Sequence, residues 1–464
     1  MHTEGSELTV SIEHRKVGDV LAAKRQELEA KGVRYCLSSF LDVHGVIKAK
    51  MVPIDHFEGM MGGSELFTGA ALDGLGQAPS DDELSVRPDP DAITILPWEP
   101  TVAWCPGYLH LHDQRWPMCS RTVLQRQIDR AAAHGLVFKV GIETEFYLVN
   151  RVQGGVRPVN PKDELHKAAY DVVGLLENLP FMDQMIRHMN ALGWDVFSSD
   201  HEDANSQFEL DFSYTDCKSI ADRFVLFRMM SKMLARQQGW EVTFMPKPYG
   251  DRTGTGAHFN MSMADAKTGA NLFSDPSDAR GCRVSQLAYQ FMAGILKHAP
   301  AIAAVSAPTV NSYKRLVKTG SMTGYTWAPV YISYGKNNRT HMLRLPQTSP
   351  RVECRAVDGA CNPYLTAALF LAAGLEGIEG KLDPGDPLEV NMYELTDEQL
   401  HERGIKVLPR TLLEAVEAFD RDPLMDEVFG PDLRQAYSEL KQREWWEYHN
   451  TVSEWELDRY LTFF

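Results

Sequence analysis

Four segments of this 464-residue chain share a pattern that few folds accommodate. Side chains alternate faces along a strand, so residues i and i+2 point the same way. In Gly141–Phe146, Ile142 and Phe146 fall on one face, and Glu143 and Glu145 on the other. In Gln207–Phe212, three apolar residues oppose Gln207, Glu209 and Asp211. The polar face is His258, Asn260 and Ser262 in Ala257–Ser262, and Arg351, Glu353 and Arg355 in Arg351–Ala356. For any one strand, a solvated sheet surface is the ordinary reading. Water-facing strands usually mix Thr, Lys and Ser, however, and these carry short carboxylates, a histidine and arginines.

Adjacent carboxylates repel and raise one another's pKa unless cations neutralise them. Glu143, Glu145, Glu202, Glu209, Glu353 and His258 would together suit hard divalent ions. Mg2+ or Mn2+ fits better than zinc, because thiolates are absent and one imidazole contributes. Arg339, Arg344, Arg351 and Arg355 suit phosphate and carboxylate. Metals plus arginines imply phosphoryl chemistry. No Gly-x-x-x-x-Gly-Lys-Ser/Thr occurs, which excludes a P-loop enzyme.

Composition narrows the partners. The formal charge is 47 − 63 = −16, without a basic cluster. That excludes the electrostatic footprint of a nucleic-acid binder and any gain from anionic membrane surfaces. Seven scattered cysteines without a Cys-x-x-Cys pair are expected to be buried free thiols. The longest apolar run, near Tyr364–Leu375, stops at Glu376, too short for a membrane span. The opening Glu4, Glu7 and Glu13 are unlike a secretory leader. A cytoplasmic protein is expected.

Along the chain, 17–31 predicts a helix, and Val33–Leu41 with Val46–Val52 a hairpin turning at Gly45. Gly62–Asp82 reads as loop. Gln114–Pro117 separates strand-like from helix-like pattern, which gives domains of 1–113 and 114–464. Leu433–Tyr460 reads as terminal helices, and Met229, Met230 and Met233 as core. His44, His110, His112 and His341 read as structural or surface residues.

These motifs resemble the glutamine synthetase family over nearly the whole chain. The carriers are Asp42 in Leu-Asp-Val-His-Gly, Gly141 to Phe146, and His201 to Glu209 with Ser206 in place of glycine. Phe244 to Pro248, Gly254 to His258 and Asn311 to Leu316 follow in order. Asn338-Arg339, Arg344 to Pro346, Arg351 to Arg355 and Asn362 to Leu365 complete the set. The resemblance implies an α+β fold: a small β-grasp-like N-terminal domain and a large catalytic domain whose curved antiparallel sheet lines the active site. It implies ATP and two or more Mg2+ or Mn2+ ions. Glu145, Glu202 and Glu209 would hold the first ion, and Glu143, His258 and Glu353 the second. Asn260, Ser262, Arg344 and Arg351 would bind ATP; Gly254, Arg315 and Arg355 would bind glutamate. Arg339 would stabilise the transferred phosphoryl group, and Asp42 would serve the amine site of a neighbouring subunit. The assembly implied is a homo-oligomer with sites between subunits, commonly a dodecamer of two hexameric rings. Tyr393 aligns with a loop tyrosine that some members modify, and reads here as a plain exposed one.

One departure bears on the substrate. Where bacterial members carry a Glu-Ala-Pro flap, this chain has Tyr325-Thr326-Trp327-Ala328-Pro329, behind an insertion with Gly320, Ser321 and Gly324. A carboxylate about 4 Å from a cation is worth roughly 4 kcal/mol at an intermediate dielectric. A tryptophan face offers about 0.5–2 kcal/mol. Ammonium loses by that exchange, and an alkylammonium recovers about 0.8 kcal/mol per buried carbon. Trp327 is therefore the expected amine selector, and a small primary amine, methylamine first, the expected nucleophile. Thr-Trp-Ala-Pro with His-Glu-Asp-Ala-Asn also resembles the γ-glutamylmethylamide-forming branch. An ammonia-using glutamine synthetase is the alternative, followed by a non-catalytic ring-forming relative. Thr253, for an asparagine near the glutamate site, and Asn260, for a second histidine near the nucleotide, are further departures.

Overall fold

The computed structural model describes residues 18–318 and 328–464. Glu4, Glu7, Glu13 and Val17 lie outside the described residues, as do Gly320, Ser321, Gly324, Tyr325, Thr326 and Trp327. The chain divides into two compact units, Met1–Thr122 and Val123–Phe464.

In the first unit a helix over 18–30 precedes a seven-stranded mixed sheet. Tyr35–Leu41 pairs antiparallel with Ile47–Pro53 and parallel with Glu99–Leu111. Gly45 turns the hairpin at φ +75°, where a side chain would be strained. The stretch read as loop contains a short strand, Leu66–Phe67, and a 3-10 turn, Gly69–Ala71. Leu66 pairs with Ser85 and Phe67 with Leu84, and the Phe67 ring packs edge-on against Phe40 at 5.1 Å, a two-residue strand too short to stand out among the surrounding Gly, Ser and Asp. Glu99–Leu111 stays extended through Pro106, which sits where the strand changes partner. A missing N–H is tolerated at such a point.

The second unit is built on an eleven-stranded sheet. Its main path runs Val196–His201, Gln207–Phe212, Leu136–Val152, Ala257–Asp265, Val352–Cys354, His341–Leu345, Tyr331–Lys336 and Lys406–Val407. All pairs on this path are antiparallel except Tyr331–Lys336 with His341–Leu345, which is parallel. The apolar face predicted for the alternating strands is the core face. Phe146 meets Phe181, Phe208, Phe227 and Phe244 at centroid distances of 5.9–6.2 Å, and Phe259 meets Phe370 at 5.7 Å. Each such ring contributes about 1.5–3 kcal/mol by burial. The helix Cys217–Gln237 supplies Met230 to this core, while Met233 of the expected methionine stripe is exposed. Met233 lies on the outer turn of the helix, a placement that spacing alone does not give.

The apolar run near Tyr364–Leu375 is the buried helix Pro363–Glu379. Among the described residues no helix is long and apolar enough to cross a membrane. This helix packs on Gln286–Ser306 through glycines. A Cβ at Gly377 would lie 2.0 Å from the Gln290 carbonyl oxygen, and one at Gly294 1.8 Å from that of Ala373. Both obstacles are backbone, so a methyl group must spread the helices. All seven cysteines are free and buried. Gly377→Ala is expected to destabilise the protein by about 2 kcal/mol or more. A denaturation midpoint equal to wild type would show that the helices separate without cost.

Candidate active site

Strand register brings the charged faces together. Asp200 lies opposite Glu209, Glu209 opposite Glu145, and His258 opposite Glu143. Asn260 is opposite Glu353, and Glu353 opposite Arg344. His258 Nδ1 is 3.2 Å from Glu143 Oε2, and its Nε2 3.6 Å from Glu145 Oε1. Donor atoms of Glu143, His258 and Glu353 lie within 4.8 Å of one another, and so do those of Glu145, Glu209 and His258. The first trio is the second expected metal set. In the second trio His258 stands where the resemblance puts Glu202.

Burial and charge repulsion together mark Glu202, Glu209 and Asp211. Burial and the nearby Glu145 and Asp200 push Glu202 up to about 8. Burial, Glu143 and Asp200 push Asp211 up to about 7. Burial and four surrounding carboxylates, Glu202 foremost, raise Glu209 well above its usual range. Glu143 goes the other way. Burial alone would raise it, but the His258 ring, the Asn260 amide and Arg355 bring it down to about 2. The donor set is carboxylate oxygen with one imidazole, and its unneutralised repulsion is what a hard divalent cation relieves. The residues present therefore fit the implied metal ions.

Arginines flank the acids. Both Glu353 oxygens are taken, one by Arg344 Nη1 and one by Arg355 Nη1, each at 2.6 Å, with Glu353 fully buried. Asn260 is a strut, donating to Glu143 Oε1 at 2.9 Å and accepting from Arg351 Nε at 2.6 Å. Arg315 is buried and donates to the carbonyls of Arg355 and Ala356. Gly254 packs against its stem. Arg339 is exposed in the turn before His341–Leu345. Asn260, Ser262 and Arg351 line a cavity of about 360 Å³ with Phe197, Phe212 and Tyr214. It offers aromatic surface beside a guanidinium and a carboxylate. In the other unit, Asp42 is 4% exposed; it accepts from the Val46 N–H at 2.9 Å and pairs with Lys48 at 3.3 Å.

Several contributors were not assigned roles by sequence. Gly256 is one: a Cβ there would lie 2.7 Å from His258 Nε2 and 3.0 Å from both Arg315 Nη2 and Glu145 Oε1. The signal was its place two residues before His258. Asp200 joins the cluster from a strand whose serines gave no warning. Ser206, at the family's glycine position, stands at φ +56° with its buried hydroxyl unpartnered. Asp163 Oδ2 holds that turn, accepting from the Ser206 N–H at 2.5 Å and meeting His201 Nε2 at 2.9 Å. Tyr393 is half-buried rather than plainly exposed: its hydroxyl donates to the Ala328 carbonyl and its ring packs edge-on against Tyr331. His341 is buried between Ser333 and the Leu388 carbonyl, a structural residue.

Residues 117–460 match the family model described as glutamine synthetase, catalytic domain. The chain belongs to the glutamine synthetase family. It is 42% identical to a glutamate–methylamine ligase of Methyloversatilis universalis, over 95% of this chain and 99% of that one. It is 37% identical to a glutamine synthetase of Rhizobium meliloti, over 92% and 96%. A solved structure described as a GmaS/ADP complex superposes with a TM-score of 0.87 at 38% identity, covering 94% of this chain and 99% of that one. GmaS without ligand gives 0.84 at 36%, covering 94% and 98%.

Two outcomes test the site. Ser206→Gly removes left-handed strain and an orphaned hydroxyl, and is expected to stabilise the protein by about 1 kcal/mol. An unchanged or lower denaturation midpoint would refute this. The second concerns pH. Glu202 has a folded pKa of about 8 against an ordinary 4.5, so the folded state binds the extra proton. Its contribution to stability is complete below the ordinary value and lost as pH rises through about 8. In chelator, Tm is expected to fall between pH 5 and pH 8, and added Mg2+ or Mn2+ to restore most at pH 8. A metal-independent profile would remove the cluster from the metal set.

Proposed function

We propose that this protein is an ATP-dependent ligase that joins the γ-carboxylate of L-glutamate to a small primary amine, methylamine first. The products are γ-glutamylmethylamide, ADP and phosphate. The observation that carries the reading is the metal-fitting acidic row flanked by arginines, in a chain 42% identical over nearly its whole length to a glutamate–methylamine ligase.

The chemistry has two steps. A γ-carboxylate oxygen of glutamate takes the terminal phosphoryl group of ATP, giving γ-glutamyl phosphate and ADP. The amine then attacks the acyl carbon, loses a proton, and phosphate leaves. Glu145, Glu202 and Glu209 would hold one divalent ion, and Glu143, His258 and Glu353 another. Bound there, Mg2+ or Mn2+ offsets the charge that shifts among phosphate oxygens. Arg344 and Arg351 bind the ATP phosphates, and Asn260 and Ser262 face the nucleotide. Gly254, Arg315 and Arg355 hold glutamate, and Arg339 stabilises the phosphoryl group in transfer. Arg344 and Arg355 both pair with Glu353. A cation held by Glu353 would compete for the oxygens that both guanidiniums now share, leaving them to anionic substrates.

Trp327 selects the amine, because an alkylammonium regains by apolar and cation–π contact what the missing carboxylate forfeits. An amine with a lysine-like pKa is about one part in a thousand neutral at pH 7, so a base is needed, and Asp42 from a neighbouring subunit is that candidate. The functional unit is a homo-oligomeric ring assembly, a dodecamer of two hexamers, acting in the cytoplasm on small molecules and on neither nucleic acid nor membrane.

The test is phosphate release from ATP and glutamate with ammonium, methylamine, ethylamine or a diamine. Methylamine is expected to have the highest kcat/KM. A preference for ammonium would make the protein a glutamine synthetase proper, and no amine-dependent turnover would make it a non-catalytic relative. Trp327→Glu is expected to move the methylamine-to-ammonium ratio toward ammonium by about fourfold or more, since both cations gain the carboxylate while methylamine alone forfeits the roughly 0.8 kcal/mol of its buried carbon. An unchanged ratio would show that Trp327 is not the selector.

A further inference from the structure

Beside the acidic cluster, one neutral side chain has its whole hydrogen-bonding capacity engaged. The Gln207 amide nitrogen donates to Glu145 Oε2 at 3.2 Å and to the Gly254 carbonyl at 2.9 Å. Its oxygen accepts from the Thr253 hydroxyl at 2.7 Å and from the Ala204 N–H at 3.3 Å. The orientation is forced. Glu145 and the Gly254 carbonyl can only accept and the Ala204 N–H can only donate, so a flipped amide would face like with like. Gln207 is 1% exposed, so water does not compete for these bonds.

Its partners belong to three separate pieces of the site. Glu145 is on the central strand, Ala204 in the turn after Glu202, and Thr253 and Gly254 in the loop that leads to His258. That loop reaches Glu145 Oε2 a second time, through the Gly256 N–H at 2.7 Å. With Oε2 held twice, Oε1 is the oxygen turned toward His258. The Tyr147 hydroxyl anchors the same loop at the Thr253 carbonyl, at 2.7 Å.

We propose that Gln207 is a positioning residue that couples the carboxylate of Glu145 to the loop 253–256, so that cation binding and glutamate binding strengthen each other; this rests on the ligase reading above. Thr253 completes the strut. Its hydroxyl is turned onto Gln207 in the position where the resemblance has an asparagine near the glutamate site. Ordering Glu145 around a cation fixes Gln207 and hence the loop. By linkage, ordering the loop around glutamate raises cation affinity by the same factor.

The experiment is calorimetric, on the full-length protein without ATP, so that no turnover occurs. Glutamate is titrated with and without Mn2+, and Mn2+ with and without glutamate. In wild type each ligand is expected to tighten the other about fivefold or more. Gln207→Glu keeps the shape but sets oxygen against Glu145 and the Gly254 carbonyl. Thr253→Val removes only the hydroxyl, and stands in should Gln207→Glu fail to fold. Both are expected to bring the coupling below about twofold, while Thr253→Ser keeps it. The KM for ATP is expected to stay at the wild-type value in all three. A merely structural role would lower Tm and leave the coupling factor intact. Wild-type coupling in Gln207→Glu or in Thr253→Val overturns the proposal. A wild-type protein that neither binds glutamate nor turns over with any amine overturns the ligase reading instead.

Discussion

Repulsion among carboxylates on one face of a single sheet governs this molecule. Glu145, Glu209, Asp200 and Asp211 crowd together because strand register sets them side by side, and Glu202 joins them from the turn after Val196–His201. Three of them, Glu202, Glu209 and Asp211, are pushed well above the usual carboxylate range. Such a face is stable only beside something positive. The protein supplies Arg344 and Arg355, and the remaining deficit is what divalent ions meet. The aromatic packing on the opposite face holds the strands in place against that repulsion.

The same balance explains why so many neighbours are neutral struts. Asn260 bridges Glu143 and Arg351, and Gln207 bridges Glu145 and the loop before His258. An amide offers a donor to a carboxylate without adding charge. Gly256 has no side chain because one would fill the point where Glu145, His258 and Arg315 converge. Ser206 is the costly exception, a left-handed residue with a side chain, held by the buried Asp163 and His201 pair.

Much of this was readable in the chain. The i, i+2 alternation identified the charged faces and the apolar core opposite them, and the ordered motifs identified the family. Asp200 was not readable, because a single aspartate after two serines resembles any surface strand. Nor was the exposure of Met233, since helical spacing says which residues share a face and not which face is covered. Tyr393 looked like a loop residue until the Ala328 carbonyl and the Tyr331 ring were placed against it.

What the sequence determined by itself is chemical type: an acidic, oxygen-rich set with one imidazole, arginines for anions, and a tryptophan where relatives carry an acid. Those follow from residue identity and period, which are local properties. What only the tertiary structure decided is who stands opposite whom. His258 bridges both carboxylate groups, Glu353 is shared by two arginines, and Gln207 joins three segments. Each depends on register between strands far apart in sequence, and a one-residue slip would send every one of these side chains to the other face.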